Sequence, residues 1–224
     1  MPSKYLQRNF RANHYYHIFN RGGFKQKIFL KKKDYDVFID ILKYYLRYPK
    51  INSLSRLTDK QLKQIKKKSA PKPYQLLAYC LMPNHFHLLL RQSLKTPTLT
   101  DLIRKVCVTY AMYFQYTYHH SGALFQGRFR CVSVFDDEQL LYLTKYIHLN
   151  PQKSVGTVPT DFIYSSLRDY LLLNQKGKDW LDTQTVFDKF FSQSLNARED
   201  YLSFLSSKKD ELKLIQLLKQ KTLE

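Results

Sequence analysis

His85 and His87 flank Phe86 in Tyr79-Cys-Leu-Met-Pro-Asn-His-Phe-His-Leu-Leu-Leu-Arg91, an apolar run that reads as strand on both sides of a break at Pro83-Asn84. Side chains two apart on a strand share a face, so the two imidazoles point one way and Phe86 the other. Imidazole is a common ligand for divalent metals, and two on one rigid strand can grip a single ion. Two protein ligands rarely suffice, however. On pattern alone, two ordinary polar residues on a half-exposed strand is an equal reading. A third ligand and a reacting group are offered by Tyr142-Leu-Thr-Lys-Tyr146-Ile-His-Leu-Asn150, which reads as the end of a helix. Tyr146 and Asn150 are four apart and share a helix face, with Tyr142 one turn earlier. The side-chain oxygen of Asn150 is the candidate third ligand. Two imidazoles and one neutral oxygen suit Mn²⁺, with Mg²⁺ as the abundant ion that prefers more oxygen. The set is too oxygen-poor for Ca²⁺ and lacks the thiolates of a structural zinc site.

Several elements must position these groups. Tyr15–Phe19 reads as a short strand ending in the turn signal Asn20-Arg21-Gly22-Gly23. Apolar residues at helical spacing follow over 34–48, with Asp34 as a plausible cap. Residues 50–72 are polar and basic and read as an insertion. Strands over Gln75–Met82 and His85–Arg91 form a hairpin. Leu99 to about His119 carries one apolar helical face, Leu124–Val134 alternates as a strand, and Asp136-Asp137-Glu138 opens a helix running to Leu149. The order β-α-β-β-α-β-α predicts an α+β fold of ferredoxin-like or RRM-like type, an antiparallel sheet with helices packed on it. Short helices after Pro159 (162–173, 185–191, 197–205 and 211–221) form a C-terminal helical extension. The expected division is a main domain over 1–158 and the extension over 159–224.

Charge points to the partner. The 224 residues hold 37 Lys and Arg against 18 Asp and Glu, a formal net charge of +19. Nucleic acid is the usual partner of so basic a chain, because Lys and Arg displace the counterions of phosphates. A membrane surface has weaker support, since the N-terminus is basic and polar and no long apolar span follows. Cys80, Cys107 and Cys131 are odd in number and widely spaced, as in a reducing compartment. The expected location is the cytoplasm.

In its motifs the chain resembles the single-tyrosine HUH transposases, and among them the REP-associated tyrosine transposases. The resemblance rests on Tyr16-His17, Arg21-Gly22, Met82-Pro83-Asn84-His85-Phe86-His87, Leu124-Phe125-Gln126-Gly127-Arg128-Phe129 and Tyr146-Ile147-His148-Leu149-Asn150-Pro151, in order across about residues 10–170. It implies a metal-dependent enzyme that cuts single-stranded DNA through a 5′-phosphotyrosine intermediate and rejoins it, with no nucleotide cofactor. It assigns Tyr146 as nucleophile, His85 and His87 as metal ligands and Asn150 as the third ligand. It also implies a palindromic DNA hairpin as substrate, with the tyrosine acting in cis or across a dimer. Helical spacing alone also permits Tyr142 as nucleophile. His148 lies off the Tyr146 face and is expected at the surface or on DNA. His17 is expected to be a packed, hydrogen-bonded residue that a central strand position could bring near the metal. Tyr110, Tyr113, Tyr116 and Tyr118 are expected in core packing and base stacking.

Single-strand binders combine basic grooves with aromatic platforms. Lys4, Arg8 and Arg11 form a basic N-terminal arm, Arg21, Lys25 and Lys27 flank the first turn, and Arg128 and Arg130 share one strand face with Phe129 on the other. Two rival readings remain: a catalytically silent DNA-binding protein of the same fold, and an HUH replication initiator or relaxase.

Overall fold

The strands are buried in continuous runs rather than in alternation, because each face of the one sheet carries its own core. A computed structural model describes residues 9–51, 72–151, 158–172 and 178–207. Lys4, Arg8, nearly all of the 50–72 insertion and the helix expected over 211–221 lie outside them. Strands β1 (His14–Arg21), β2 (Tyr74–Met82), β3 (His85–Gln92) and β4 (Arg130–Val134) form an antiparallel sheet in the order β2-β3-β1-β4. That order, with helices α1 (Lys32–Arg47) and α2 (Leu99–Tyr118) between strands, is the expected ferredoxin-like arrangement. Helix α3 (Asp137–His148) follows β4. The short helices α4 (Leu167–Leu171), α5 (Gln184–Phe190) and α6 (Ala197–Ser206) complete the described chain.

Tyr16 and Ile18 of β1 and Phe86, Leu88 and Leu90 of β3 face α1 and α2, in a core with Phe38, Leu42, Ile103, Val106 and Tyr110. The opposite face buries Leu89, Leu77, Ala78 and Cys80 against Leu140, Leu143 and Ile147 of α3 and against Tyr170, Phe187 and Tyr201 of the extension. A β-bulge in β2 between Leu76 and Ala78 shifts the parity of that strand. Tyr74 and Leu76 therefore share a core with Tyr79 and Leu81, while Leu77, Ala78 and Cys80 turn to the other.

The strand expected over 124–134 is shorter than its pattern. Only Arg130–Val134 pairs with β1, while Phe125 makes a single bridge to Gly22 and Gly127 sits at φ +137°. That conformation strains any side chain other than glycine, and it ends the alternation. Arg128 and Arg130 therefore do not share a strand face: Arg128 lines an apolar cavity beside α2 with Phe125 and Phe129, whereas Arg130 heads β4 opposite Phe19. Gly22 is dictated by close approach. A Cβ there would lie 2.2 Å from the Gln26 carbonyl oxygen, and its N–H donates to Asn84 O at 2.9 Å, tying the end of β1 to the β2–β3 turn.

The cap expected at Asp34 works from one turn inside the helix. Lys31 is the N-cap residue, and Asp34 at the third helical position accepts from the backbone N–H groups of Leu30 and Lys31 at 2.7 and 2.8 Å. Tyr113 and Tyr118 of α2 donate to the same buried carboxylate at 2.9 and 2.8 Å. Burial by itself raises the Asp34 pKa, but the bonds from Lys31, Tyr118, Leu30 and Tyr113 together outweigh it and hold the pKa below its ordinary value. This stabilisation is present above the ordinary carboxylate range and is lost as pH falls through the lowered folded-state value. Asp34→Asn should cost about 2 kcal/mol at pH 7. In urea melts, the gap between variant and wild type should narrow at pH 3.

Candidate active site

The site is built where the end of β3 meets the residue that follows α3. Leu140, Leu143 and Ile147 form the stripe that seats α3 on the sheet. Tyr146, one residue off that stripe, faces the open end of the same sheet layer. The helix ends at His148 with Leu149 as C-cap, and the Leu149 N–H still reaches Lys145 O at 2.8 Å. Asn150 thus lies just beyond the helix rather than within it. It nonetheless stays close enough to Tyr146 for its amide to pull the phenol pKa down.

His85 and His87 share a face as expected, their ring centroids 5.0 Å apart and the planes perpendicular. Both present Nε2 to one side chain. His85 Nε2 lies 3.2 Å from Asn150 Oδ1, and His87 Nε2 lies 3.4 Å from Asn150 Nδ2. The Tyr146 ring stands edge-on to His87 at 5.4 Å between centroids. One chain therefore brings Tyr146, His85, His87 and Asn150 together. His87 and Asn150 are buried and His85 is half-buried.

Donor and acceptor chemistry tests whether this set fits a cation. Asn84 Nδ2 donates to the Lys25 carbonyl at 3.3 Å, which turns Asn84 Oδ1 to His85 Nδ1 at 2.6 Å. An amide oxygen only accepts, so His85 carries its proton on Nδ1 and presents an Nε2 lone pair to Asn150 Oδ1. Two acceptors facing one another at 3.2 Å repel unless a positive species lies against both. The residues fit a divalent cation held by two imidazoles and an amide oxygen. Among the described residues no three His, Cys, Asp or Glu side chains cluster for a metal, so such an ion depends on Asn150.

Positive charge is uneven around the site. Arg21 ends β1 directly opposite His85, and Arg130 pairs with Phe19, which lies opposite His87. Directly paired residues share a sheet face, so both arginines stand on the face of the histidines. Both are exposed, as are Arg11 and Arg128. The Tyr146 phenol is pushed above its ordinary pKa chiefly by burial, while the Asn150 hydrogen bond and the Arg21 charge pull it down.

Other expectations are corrected. His148 is fully buried rather than on the surface: its Nδ1 lies 2.7 Å from Tyr201 Oη and its Nε2 lies 2.7 Å from Ser166 Oγ. Burial pushes its pKa down to about 3, so the ring is neutral. Tyr142 packs its ring on Phe204 of α6, away from the histidines. Tyr110 donates to Ile28 O inside the core, Tyr113 and Tyr118 serve Asp34, and Tyr116 is 87% exposed. His17 is packed and hydrogen-bonded as expected, and its partner is His87, at 2.9 Å between His17 Nε2 and His87 Nδ1. The role of Asn84 had no signal beyond its place beside His85 in a turn.

The family model described as "Transposase IS200 like" matches residues 11–150. The match covers more than half of the chain, and the chain belongs to this IS200-like transposase family. No curated protein matches. Among solved structures, the chain is similar to a REP-associated tyrosine transposase bound to a REP hairpin, at 14% identity and a TM-score of 0.52, over 81% of this chain and 93% of that one. A putative transposase from Deinococcus radiodurans R1 matches at 15% identity and a TM-score of 0.37, over 67% of this chain and 94% of that one.

Because the Arg21 charge lowers the Tyr146 pKa, Arg21→Gln should move the phenol titration further up. Arg128→Gln should leave it in place. NMR of ¹³C-labelled tyrosine, with Tyr146→Phe to assign the resonance, measures both.

Proposed function

We propose that this IS200-like transposase is a metal-dependent single-stranded DNA endonuclease and strand transferase acting through Tyr146. The observation that carries this reading is the convergence of His85 Nε2, His87 Nε2 and the Tyr146 side chain on Asn150 within one chain. His85, His87 and the Asn150 oxygen would hold Mn²⁺ or Mg²⁺. Such an ion supplies Lewis-acid polarisation of phosphate oxygens when bound.

In the proposed reaction the Tyr146 phenolic oxygen attacks the scissile phosphorus and its proton leaves to solvent. A bond from Tyr146 Oη to phosphorus forms, and the bond from phosphorus to the 3′ oxygen breaks, releasing a 3′-hydroxyl. The 5′ side stays on Tyr146 as a phosphodiester, so the energy of the cleaved bond is kept and an incoming 3′-hydroxyl reverses the step. A phenol held protonated by burial is a weak nucleophile. The Asn150 hydrogen bond and the Arg21 cation both favour the phenolate. Arg21, beside His85, also stands where charge develops on the phosphate. That Tyr146 and the histidines meet within one chain supports action in cis.

The net charge of +19 supports a nucleic-acid substrate. Arg21, Arg130 and Arg11 lie along the described part of its path, with Arg128 beside the loop after α2. Lys4 and Arg8, outside the described residues, add to the basic charge of the N-terminal sequence. The structural relative is bound to a REP hairpin, which supports a hairpin-forming palindromic element as the substrate of this chain. A cytoplasmic enzyme fits this reading. Among the described residues no helix is long and apolar enough to cross a membrane.

Tyr146→Phe should abolish cleavage and the covalent adduct on a hairpin-bearing oligonucleotide, while hairpin binding survives. EDTA should stop wild-type cleavage, and Mn²⁺ or Mg²⁺ should restore it. An adduct still formed by Tyr146→Phe, seen on a denaturing gel, would move the nucleophile elsewhere. Cleavage of a double-stranded origin without rejoining would favour a replication initiator or relaxase.

A further inference from the structure

We propose that His17 is a positioning residue for the metal site: its Nε2 accepts the His87 Nδ1–H and so holds His87 in the tautomer whose Nε2 lone pair is available as a ligand. This inference rests on the metal reading of His85, His87 and Asn150 given above.

The geometry begins with strand register. His17 lies opposite Leu89 on β3, and His87 is its diagonal neighbour on the same face. A diagonal neighbour lies within reach of a long or aromatic side chain. The two ring centroids are 5.1 Å apart and the planes 20° from parallel, with His17 Nε2 and His87 Nδ1 separated by 2.9 Å. The rings therefore meet edge to edge in one plane, as an N–H···N hydrogen bond requires, rather than face to face.

The direction of that bond follows from the far side of His87. Its Nε2 faces the Asn150 amide nitrogen, a donor, at 3.4 Å. A cation held by His87 Nε2 needs that lone pair, and a donor at this side leaves Nε2 the same acceptor role; the His87 proton then sits on Nδ1 and His17 Nε2 accepts it. His85 is set the same way: Asn84 Oδ1 takes its Nδ1–H and leaves Nε2 toward Asn150. Each histidine thus has its own outer partner, and both outer partners select the same tautomer. Outer partners of this kind fix ring orientation and raise ligand basicity.

The arrangement has a cost that a purely structural residue would not carry. In this tautomer pair the His17 proton sits on Nδ1, and that buried atom has no hydrogen-bond partner among the described residues. An orphaned buried donor destabilises the fold, and replacing it with an apolar ring removes the penalty. His17 also holds its place by packing, edge-on to Tyr146 at 5.8 Å and against Phe19 at 5.1 Å between centroids. An aromatic replacement keeps those contacts. His17→Phe also leaves the buried His87 Nδ1–H without its acceptor, whereas a glutamine oxygen at position 17 can still accept it. Only the positioning role predicts that metal affinity follows the acceptor at position 17 rather than the stability of the fold.

The test is calorimetric titration of the full chain with Mn²⁺ alone, in wild type, His85→Ala, His17→Phe and His17→Gln, beside thermal melts of each. Wild type should bind Mn²⁺ and His85→Ala should not. His17→Phe should bind about 10- to 100-fold more weakly. His17→Gln, whose side-chain oxygen can accept the same Nδ1–H, should recover most of the affinity. Wild-type affinity in His17→Phe would overturn the inference and leave the metal reading standing. If His17→Phe melts well below wild type, His17→Gln decides: near-wild-type affinity supports the inference and a matching loss overturns it. A wild-type chain that takes up no Mn²⁺ through His85 would overturn the metal reading and this inference together.

Discussion

The Asn150 side chain is the point on which the site depends. Its oxygen and nitrogen meet Nε2 of two histidines, and its amide pulls down the pKa of the Tyr146 phenol as well. Those partners come from a strand and a helix far apart in sequence, so the position of α3 against β3 must be held closely. Two sets of forces hold it. In front, the stripe of Leu140, Leu143 and Ile147 is buried against Leu77, Ala78, Cys80 and Leu89 of the sheet. Behind, a buried polar chain runs from Thr144 through Tyr201, His148 and Ser166 to the backbone of Tyr79 on β2. Lys145 adds bonds to the carbonyls of Phe204 and Ser207. A fully satisfied buried network of this kind is rigid, because any displacement leaves a polar group unpaired in low dielectric.

That backing explains the C-terminal helices in physical terms. They cover the outer edge of β2, where Leu81 N bonds to Tyr164 O and Asp182 N bonds to Leu76 O. An uncovered edge strand presents unpaired N–H and C=O groups, which proteins commonly mask. The same segments supply Ser166, Tyr170 and Tyr201 to the packing and bonding behind α3. The extension therefore protects the sheet and braces the helix that carries Tyr146. Arg21 and Arg130, on the sheet face of the histidines, remain exposed.

Much of this was legible in the residues. The i, i+2 spacing of His85 and His87 and the i, i+4 spacing of Tyr146 and Asn150 predict shared faces, because backbone periodicity acts locally. The pairing of Tyr146 with Asn150 outlasts the end of the helix because the Leu149 N–H still closes a helical turn. Three features were not legible. The strand over 124–134 failed because Gly127 adopts a conformation that its neighbours' alternation does not signal. The burial of His148 depends on Tyr201 and Ser166, which are distant in sequence. The partnership of His17 with His87 depends on the register of β1 against β3, and a shift of one residue would turn every side chain of the strand to the other face.

The sequence by itself determined the element order, the sheet type, the basic character and the shared faces of His85 with His87 and of Tyr146 with Asn150, because each is carried by composition or by short-range spacing, while the choice of Tyr146 over Tyr142 rested on the family motif. Only the tertiary structure decided that both histidines turn Nε2 to one amide and that His17 and Asn84 stand behind them. It also decided that Tyr146 reaches the pair within its own chain. Those are facts of register and packing between elements distant in the chain, and periodicity along one element carries no information about its neighbour's register.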